Sequence, residues 1–152
     1  HTRCTQNGKT NPVKVVLDSN VVMAGFLWSG ICTQFFDLAN AGRIEPFTSR
    51  DLIDEIREVL YRPKHAHHVA RTGFTAEQLI DQYQRFAKPI PARKFTKQIC
   101  RDADDDAVLA CALAAKADVI VTGDKDLIVL HPWNGIQILS PADALQWLTS
   151  ST

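Results

Sequence analysis

Residues 102–124 read DADDDAVLACALAAKADVIVTGD. Four acids, Asp102, Asp104, Asp105 and Asp106, crowd into five positions ahead of the apolar run Ala107 to Ala115, and the β-branched stretch Val119 to Val121 then leads into Thr122, Gly123 and Asp124. Acid run, apolar helix and short apolar strand follow one another with almost no spacer. A helix apolar on every face packs on more than one side. On the helical repeat Asp106 shares a stripe with Ala110 and Leu113, which predicts that it faces inward.

Reading outward, VKVVLD at 13–18 is an apolar β-branched run that closes on an acid, the pattern of a central parallel strand. A helix follows around TQFFDLANAG with Gly42 as its stop, and then IEPF at 44–47 reads as a weaker strand. Thr48 with Asp51 three residues on gives a capping-box start for DLIDEIREVLY, which Pro63 ends. Thr75 with Gln78 caps a further helix, EQLIDQYQRFA, and the AKPIP stretch after it suits an edge strand between prolines. GIQILS is another apolar strand, and Ser140, Pro141 and Asp143 open a terminal helix that ends near Trp147. Strands alternating with helices predict an α/β fold, a three-layer α/β/α domain around a mostly parallel sheet.

The chain has 152 residues, which suits one domain with one sizeable core, taken as 13–149. Residues 1–12 are polar and are set apart as a disordered or artificially added lead. Seventeen Lys and Arg balance seventeen Asp and Glu, so any affinity for nucleic acid comes from local patches and not from a global field. The longest apolar run is too short to span a bilayer, and a soluble, cytoplasmic protein without a membrane partner is expected. The cysteines, Cys4, Cys32, Cys100 and Cys111, lack a C-x-x-C pairing and are expected to be free thiols.

In open parallel sheets ligands bind beyond the carboxyl ends of the strands, where strand order reverses. Asp18 and Asp124 each follow a predicted strand, and they converge if those strands are neighbours. On the helix at 51–61, Leu52, Ile56, Val59 and Leu60 form one apolar arc; Glu55 lies at its edge, while Asp54 and Glu58 lie further round. Acids in the first turn of a helix are favoured by its dipole, and that alone accounts for Asp102 and Asp104. Several inward carboxylates are another matter: at 4 Å each pair repels by roughly 1 kcal/mol in water and about 4 kcal/mol at an effective dielectric of 20. Such a cluster calls for a cation, and an all-oxygen site suits Mg²⁺ or Mn²⁺.

The stretches VVLDSNVV at 15–22, SRDLIDEIREVLYRPK at 49–64, RDADDDAVLACALAAKADVIVTGDKDL at 101–127 and ILSPADALQWL at 138–148 together resemble the PIN-domain family, in particular its VapC-like subgroup of toxin-antitoxin toxins. The resemblance runs from Val13 to Leu148. It implies an acidic quartet of Asp18, Glu55, Asp106 and Asp124, with Asn20 and Thr122 as polar supports; Asp105 rivals Asp106, and Asp126 is a more distant rival to Asp124. It further implies a divalent-metal-dependent ribonuclease, often a homodimer, held inactive by a small antitoxin protein. Asp18, Asp106 and Asp124 are then metal ligands, and Glu55 holds a second metal or positions the attacking water.

A polyanionic substrate needs positive charge nearby. Arg93, Lys94, Lys97 and Arg101 offer one such stretch; YRPKHAHHVAR at 61–71 offers another, where Tyr61 and His67 could stack on unpaired bases. His65, His67 and His68 lack a companion ligand and read as surface, and Trp28, Phe35 and Phe36 fit packing or a dimer face. Competing readings are a PIN-type nuclease in RNA processing or on DNA, a non-catalytic RNA- or partner-binding domain, and a phosphatase with Asp18 as nucleophile. The last wants a second acid where this chain has Asn20.

Overall fold

The computed structural model describes residues 3–4, 10–28 and 30–150. Of the leading segment 1–12, residues 1–2 and 5–9 lie outside the described residues, while Arg3–Cys4 (β1) pairs antiparallel with Thr10–Asn11 (β2). The main sheet holds Val13–Leu17 (β3), Ile44–Thr48 (β4), Lys88–Pro89 (β5), Val119–Val121 (β6) and Gln137–Leu139 (β7). Its order is β5-β4-β3-β6-β7, and every pairing is parallel. β5 is the edge strand foreseen between prolines, where a missing N–H costs the ladder nothing on its outer side.

Parallel strands need crossovers, and the helices supply them: Ser19–Leu27 (α1), Thr33–Asn40 (α2), Arg50–Leu60 (α3), Ala66–Arg71 (α4), Ala76–Phe86 (α5), Ala103–Ala115 (α6), Lys125–Ile128 (α7) and Pro141–Thr149 (α8). They cover both faces of the sheet, giving the three layers. On one face Val13, Val15 and Leu17 of β3 pack with α1, α2, α3, α5 and α8; on the other Val16 packs with Phe47, Ile120 and the α6 residues Val108, Leu109 and Ala112. Alternate residues of one strand thus feed two cores, which is why β3 and β6 contain no outward polar positions at their centres. Phe35, one of the aromatics assigned to packing, is fully buried. Gly25 lies mid-helix where the Phe36 ring packs so closely that a Cβ would sit 2.5 Å from it.

Several helix starts carry the expected chemistry. Thr75 and Gln78 form a reciprocal capping box, and Ser140 accepts from the Asp143 N–H with Pro141 in the first turn. Two expectations shift. Helix α3 is capped by Ser49, whose side chain accepts from Leu52 N, because Thr48 is still paired in β4. Helix α6 does pack on more than one side, against α3 and the sheet, but Leu113 is 46% exposed, so the stripe on which Asp106 was placed faces partly outward.

β3 leads outward to β4 and β5, after which the chain returns to lay β6 on the other flank of β3 and continues to β7. Strand order therefore reverses between β3 and β6, whose ends are level, Leu17 opposite Val121. The next residues along, Asp18 and Thr122, start the site.

Candidate metal centre

Asp18 is made into a site residue by the end of one strand and the start of a helix. Its N–H donates to Val121 O at 3.0 Å, closing the ladder, and its carboxylate then caps α1. Oδ1 accepts from Ser19 N at 2.7 Å, and Oδ2 accepts from the Thr122 hydroxyl at 2.7 Å. Thr122 is fully buried and its Oγ1 also accepts from Asp124 N at 3.0 Å, so one hydroxyl couples the acids of two adjacent strand ends. Burial raises the Asp18 carboxyl above the ordinary range; the Thr122 and Ser19 hydrogen bonds oppose that rise, and the charge of Asp124 adds to it.

Asp124 caps the short helix α7 by accepting from Asp126 N at 2.9 Å. Across from it, the first turn of α6 brings in Asp105, only 6% exposed. One carboxylate oxygen from each of Asp105, Asp124 and Asp126 lies within 4.8 Å of the others. Asp105 is pushed up to about 7, first by burial, then by the adjoining Asp124 carboxylate and by the charges of Asp18 and Asp102. Its Oδ2 is buried and no donor among the described residues reaches it. An orphaned carboxylate oxygen in an all-oxygen cluster fits a hard divalent cation, and in its absence a proton shared with Asp124.

The inward position belongs to Asp105 and not to Asp106. Asp106 is turned about 100° further round the helix, as successive residues are, and its carboxylate accepts from Ile99 N at 2.8 Å and Cys100 N at 2.7 Å. It fastens the loop that enters α6. Asp106→Asn leaves one of those N–H groups facing an amide NH₂. The variant is expected to lose roughly 1 to 2 kcal/mol, or about 3–6 °C in melting temperature, with and without Mg²⁺. A gain in metal-free stability would return Asp106 to the ligand set.

Glu55 comes from α3 and is half-buried, as its place at the edge of the apolar arc predicts. It is pushed up to about 7, by burial first and then by the charge of Asp104; a hydrogen bond from the Ser19 hydroxyl lowers it, and Asp18 and Asp102 raise it again. Ser19 thus stands between Glu55 and Asp18, a role that the sequence did not disclose. Glu55 and Asp106 line a cleft of about 520 Å³ between α3, α6 and the 92–98 segment. Asp105 and Asp124 are not among its lining residues, so the carboxylate centre lies beside the cleft. Its walls carry Asp51, Asp54, Glu58 and Asp104 as well, with Lys94 the one basic residue.

The remaining expected residues scatter. Asn20 is exposed in α1, and Arg93, Lys94 and Lys97 are exposed on the loop before α6. Arg101 pairs with Asp126. Tyr61 donates to Glu77, and His65 and His68 pack against Trp28. Cys32, Cys100 and Cys111 are free, and burial above all pushes the last two thiols up to about 12. No helix among the described residues is long and apolar enough to cross a membrane.

The raised carboxyls fix a pH dependence. The folded chain holds protons on Asp105 and Glu55 up to about 7 that the unfolded chain releases near 4, so unfolding releases protons and rising pH favours it. Without divalent metal, stability is expected to fall as pH climbs from the ordinary carboxylate range to above 7, and Asp105→Asn to flatten that fall. Melting curves in EDTA across the interval check it; a wild-type stability that rises with pH there contradicts it.

A family model described as PIN domain matches residues 14–126. An uncharacterized protein, MJ1680, of Methanocaldococcus jannaschii is 30% identical over 131 residues, covering 80% of this chain and 77% of that protein. Among solved structures, the crystal structure of FitAcB from Neisseria gonorrhoeae superposes with a TM-score of 0.50 at 15% identity, over 84% of this chain and 98% of that one. At that identity the likeness concerns the fold.

Proposed function

This chain belongs to the PIN domain family, and from that premise we propose that it is a divalent-metal-dependent ribonuclease that hydrolyses RNA phosphodiester bonds. The observation that carries the reading is the buried carboxylate centre at the β3/β6 switch point, with Asp105 Oδ2 lacking a donor among the described residues. In this reading Asp18, Asp105 and Asp124 hold Mg²⁺ or Mn²⁺, with Asp126 at their border. A cation held by these residues would supply charge for the phosphate oxygens and lower the pKa of a bound water. Thr122 and Ser19 fix the Asp18 oxygens, so the centre is preorganised by hydrogen bonds that cost nothing to form at the moment of reaction. Glu55, from a different helix, orients the attacking water and takes its proton as the new P–O bond forms and the ester P–O bond breaks.

The resemblance of residues 15–22, 49–64, 101–127 and 138–148 to the VapC-like subgroup supports the finer reading that the chain is the toxin of a toxin-antitoxin pair. A cognate antitoxin and a homodimeric state belong to that reading, as does a cytoplasmic site of action. The test is cleavage of matched single-stranded RNA and DNA with Mg²⁺, with Mn²⁺ and in excess EDTA. RNA is expected to be cut only with metal; undiminished cutting in EDTA sinks the metal-dependent reading, and a preference for DNA sinks the ribonuclease one.

A further inference from the structure

The residues that lead into α6 form a turn fastened from both sides. Gln98 Nε2 donates to the carbonyls of Cys100 at 2.7 Å and Arg101 at 2.9 Å. Asp106 accepts from Ile99 N and Cys100 N, and Asp102 then caps α6. With its backbone held by four side-chain hydrogen bonds, the turn fixes where Arg101 begins and leaves its side chain as the movable part.

That side chain reaches the border of the carboxylate centre. Arg101 Nη2 lies 2.8 and 3.1 Å from the two oxygens of Asp126, whose carboxylate stands within 4.8 Å of Asp105 and Asp124. Only one guanidinium nitrogen is engaged, and Nε and Nη1 have no partner among the described residues. The side chain is 87% exposed. A guanidinium usually meets a carboxylate through two nitrogens at once; here a single nitrogen holds Asp126, and the N–H groups of Nε and Nη1, which point to different edges of the group, stay open to another anion. Arg93, Lys94 and Lys97 form no ion pair with the centre among the described residues.

We propose that Arg101 binds the phosphate of a nucleic-acid phosphodiester placed on the carboxylate centre, through the guanidinium N–H groups that Asp126 leaves open, while Asp126 holds the guanidinium and the turn pinned by Gln98 and Asp106 sets its reach. This rests on the nuclease reading and names the group that meets the substrate phosphate. An acidic cluster repels a polyanion, and a cation tethered to its border by Asp126 offsets that repulsion where the scissile phosphate must sit. Arginine suits the place because its several N–H donors let one group hold Asp126 and a phosphate at once along different directions, which a lysine point charge does not.

The experiment compares wild type, Arg101→Gln and Arg101→Lys in RNA cleavage with Mg²⁺. It adds the salt dependence of oligonucleotide binding in an Asp105→Asn background, and melting temperatures. Arg101→Gln is expected to lower kcat/KM by about 100-fold, the loss typical of one preorganised charged donor, and to make the binding slope against log salt shallower by about 0.7. Its melting temperature should stay near wild type, because exposed ion pairs contribute little. Arg101→Lys recovers only a minor part of the activity. If wild type cuts RNA while Arg101→Gln cuts within threefold of it and keeps the full salt slope, this inference is overturned and the nuclease reading stands. If wild type does not cut RNA with any divalent metal, both fall.

Discussion

Asp105→Asn is expected to lower RNA cleavage by about 100- to 1,000-fold, the cost of removing one preorganised charge from an active centre, while raising the melting temperature of the metal-free protein. The two effects have one cause. Asp105 is buried beside Asp124 and in the field of Asp18, and no donor among the described residues compensates its Oδ2. Repulsion of about 4 kcal/mol per close pair at an effective dielectric of 20 sets the ceiling on the gain. Proton uptake already relieves much of that, since the group holds its proton to about 7. A net gain of roughly 1 kcal/mol, or about 3 °C, remains at pH 8. Added Mg²⁺ reverses the order, because ligand stabilisation follows the free-ligand ratio to Kd and the variant binds more weakly. A variant that melts below wild type in EDTA shows Asp105 to be structural.

Asp18→Asn is expected to abolish cleavage as completely, with the opposite effect on the metal-free fold. Asp18 is just as buried, but its oxygens are satisfied by Ser19 N and the Thr122 hydroxyl, and it caps α1. An amide keeps one acceptor and turns its NH₂ toward the other donor, so a buried hydrogen bond is lost at a cost of roughly 1 to 3 kcal/mol. Relief of repulsion against Asp124 offsets part of this. In a bacterial host, expression of the wild-type chain is expected to arrest growth while Asp18→Asn at equal soluble level does not. Equal tolerance of both removes the toxin reading and leaves the nuclease assay to decide the rest.

Much of the architecture was legible because parallel strands buried on both faces are continuous apolar runs; β6 is of that kind, and β3 departs from it only at Lys14. The caps at Thr75 and Ser140 were legible because their partners lie three residues away in sequence. Helix α1 was not: no helix is read between VKVVLD and TQFFDLANAG, whereas Asp18 serves both as the end of a strand and as the cap of α1. The choice between Asp105 and Asp106 was illegible for a related reason. Nearly every position of α6 is apolar, so its periodicity carries no direction, and the exposure of Leu113 appears only once α6 is packed on the sheet. Asp126 drew little weight because α7 is a single turn, yet that turn is what brings its carboxylate to the centre.

Calorimetric titration of Mn²⁺ into metal-free wild type, Asp105→Asn and Asp106→Asn at pH 8 tests the carboxylate centre without depending on any substrate. Wild type is expected to bind Mn²⁺ with saturable heat, Asp106→Asn to bind it nearly as tightly, and Asp105→Asn to weaken it by at least an order of magnitude, the loss of one anionic ligand. Equal affinity in wild type and Asp105→Asn, or no saturable binding by wild type, contradicts a metal centre at the β3/β6 switch point.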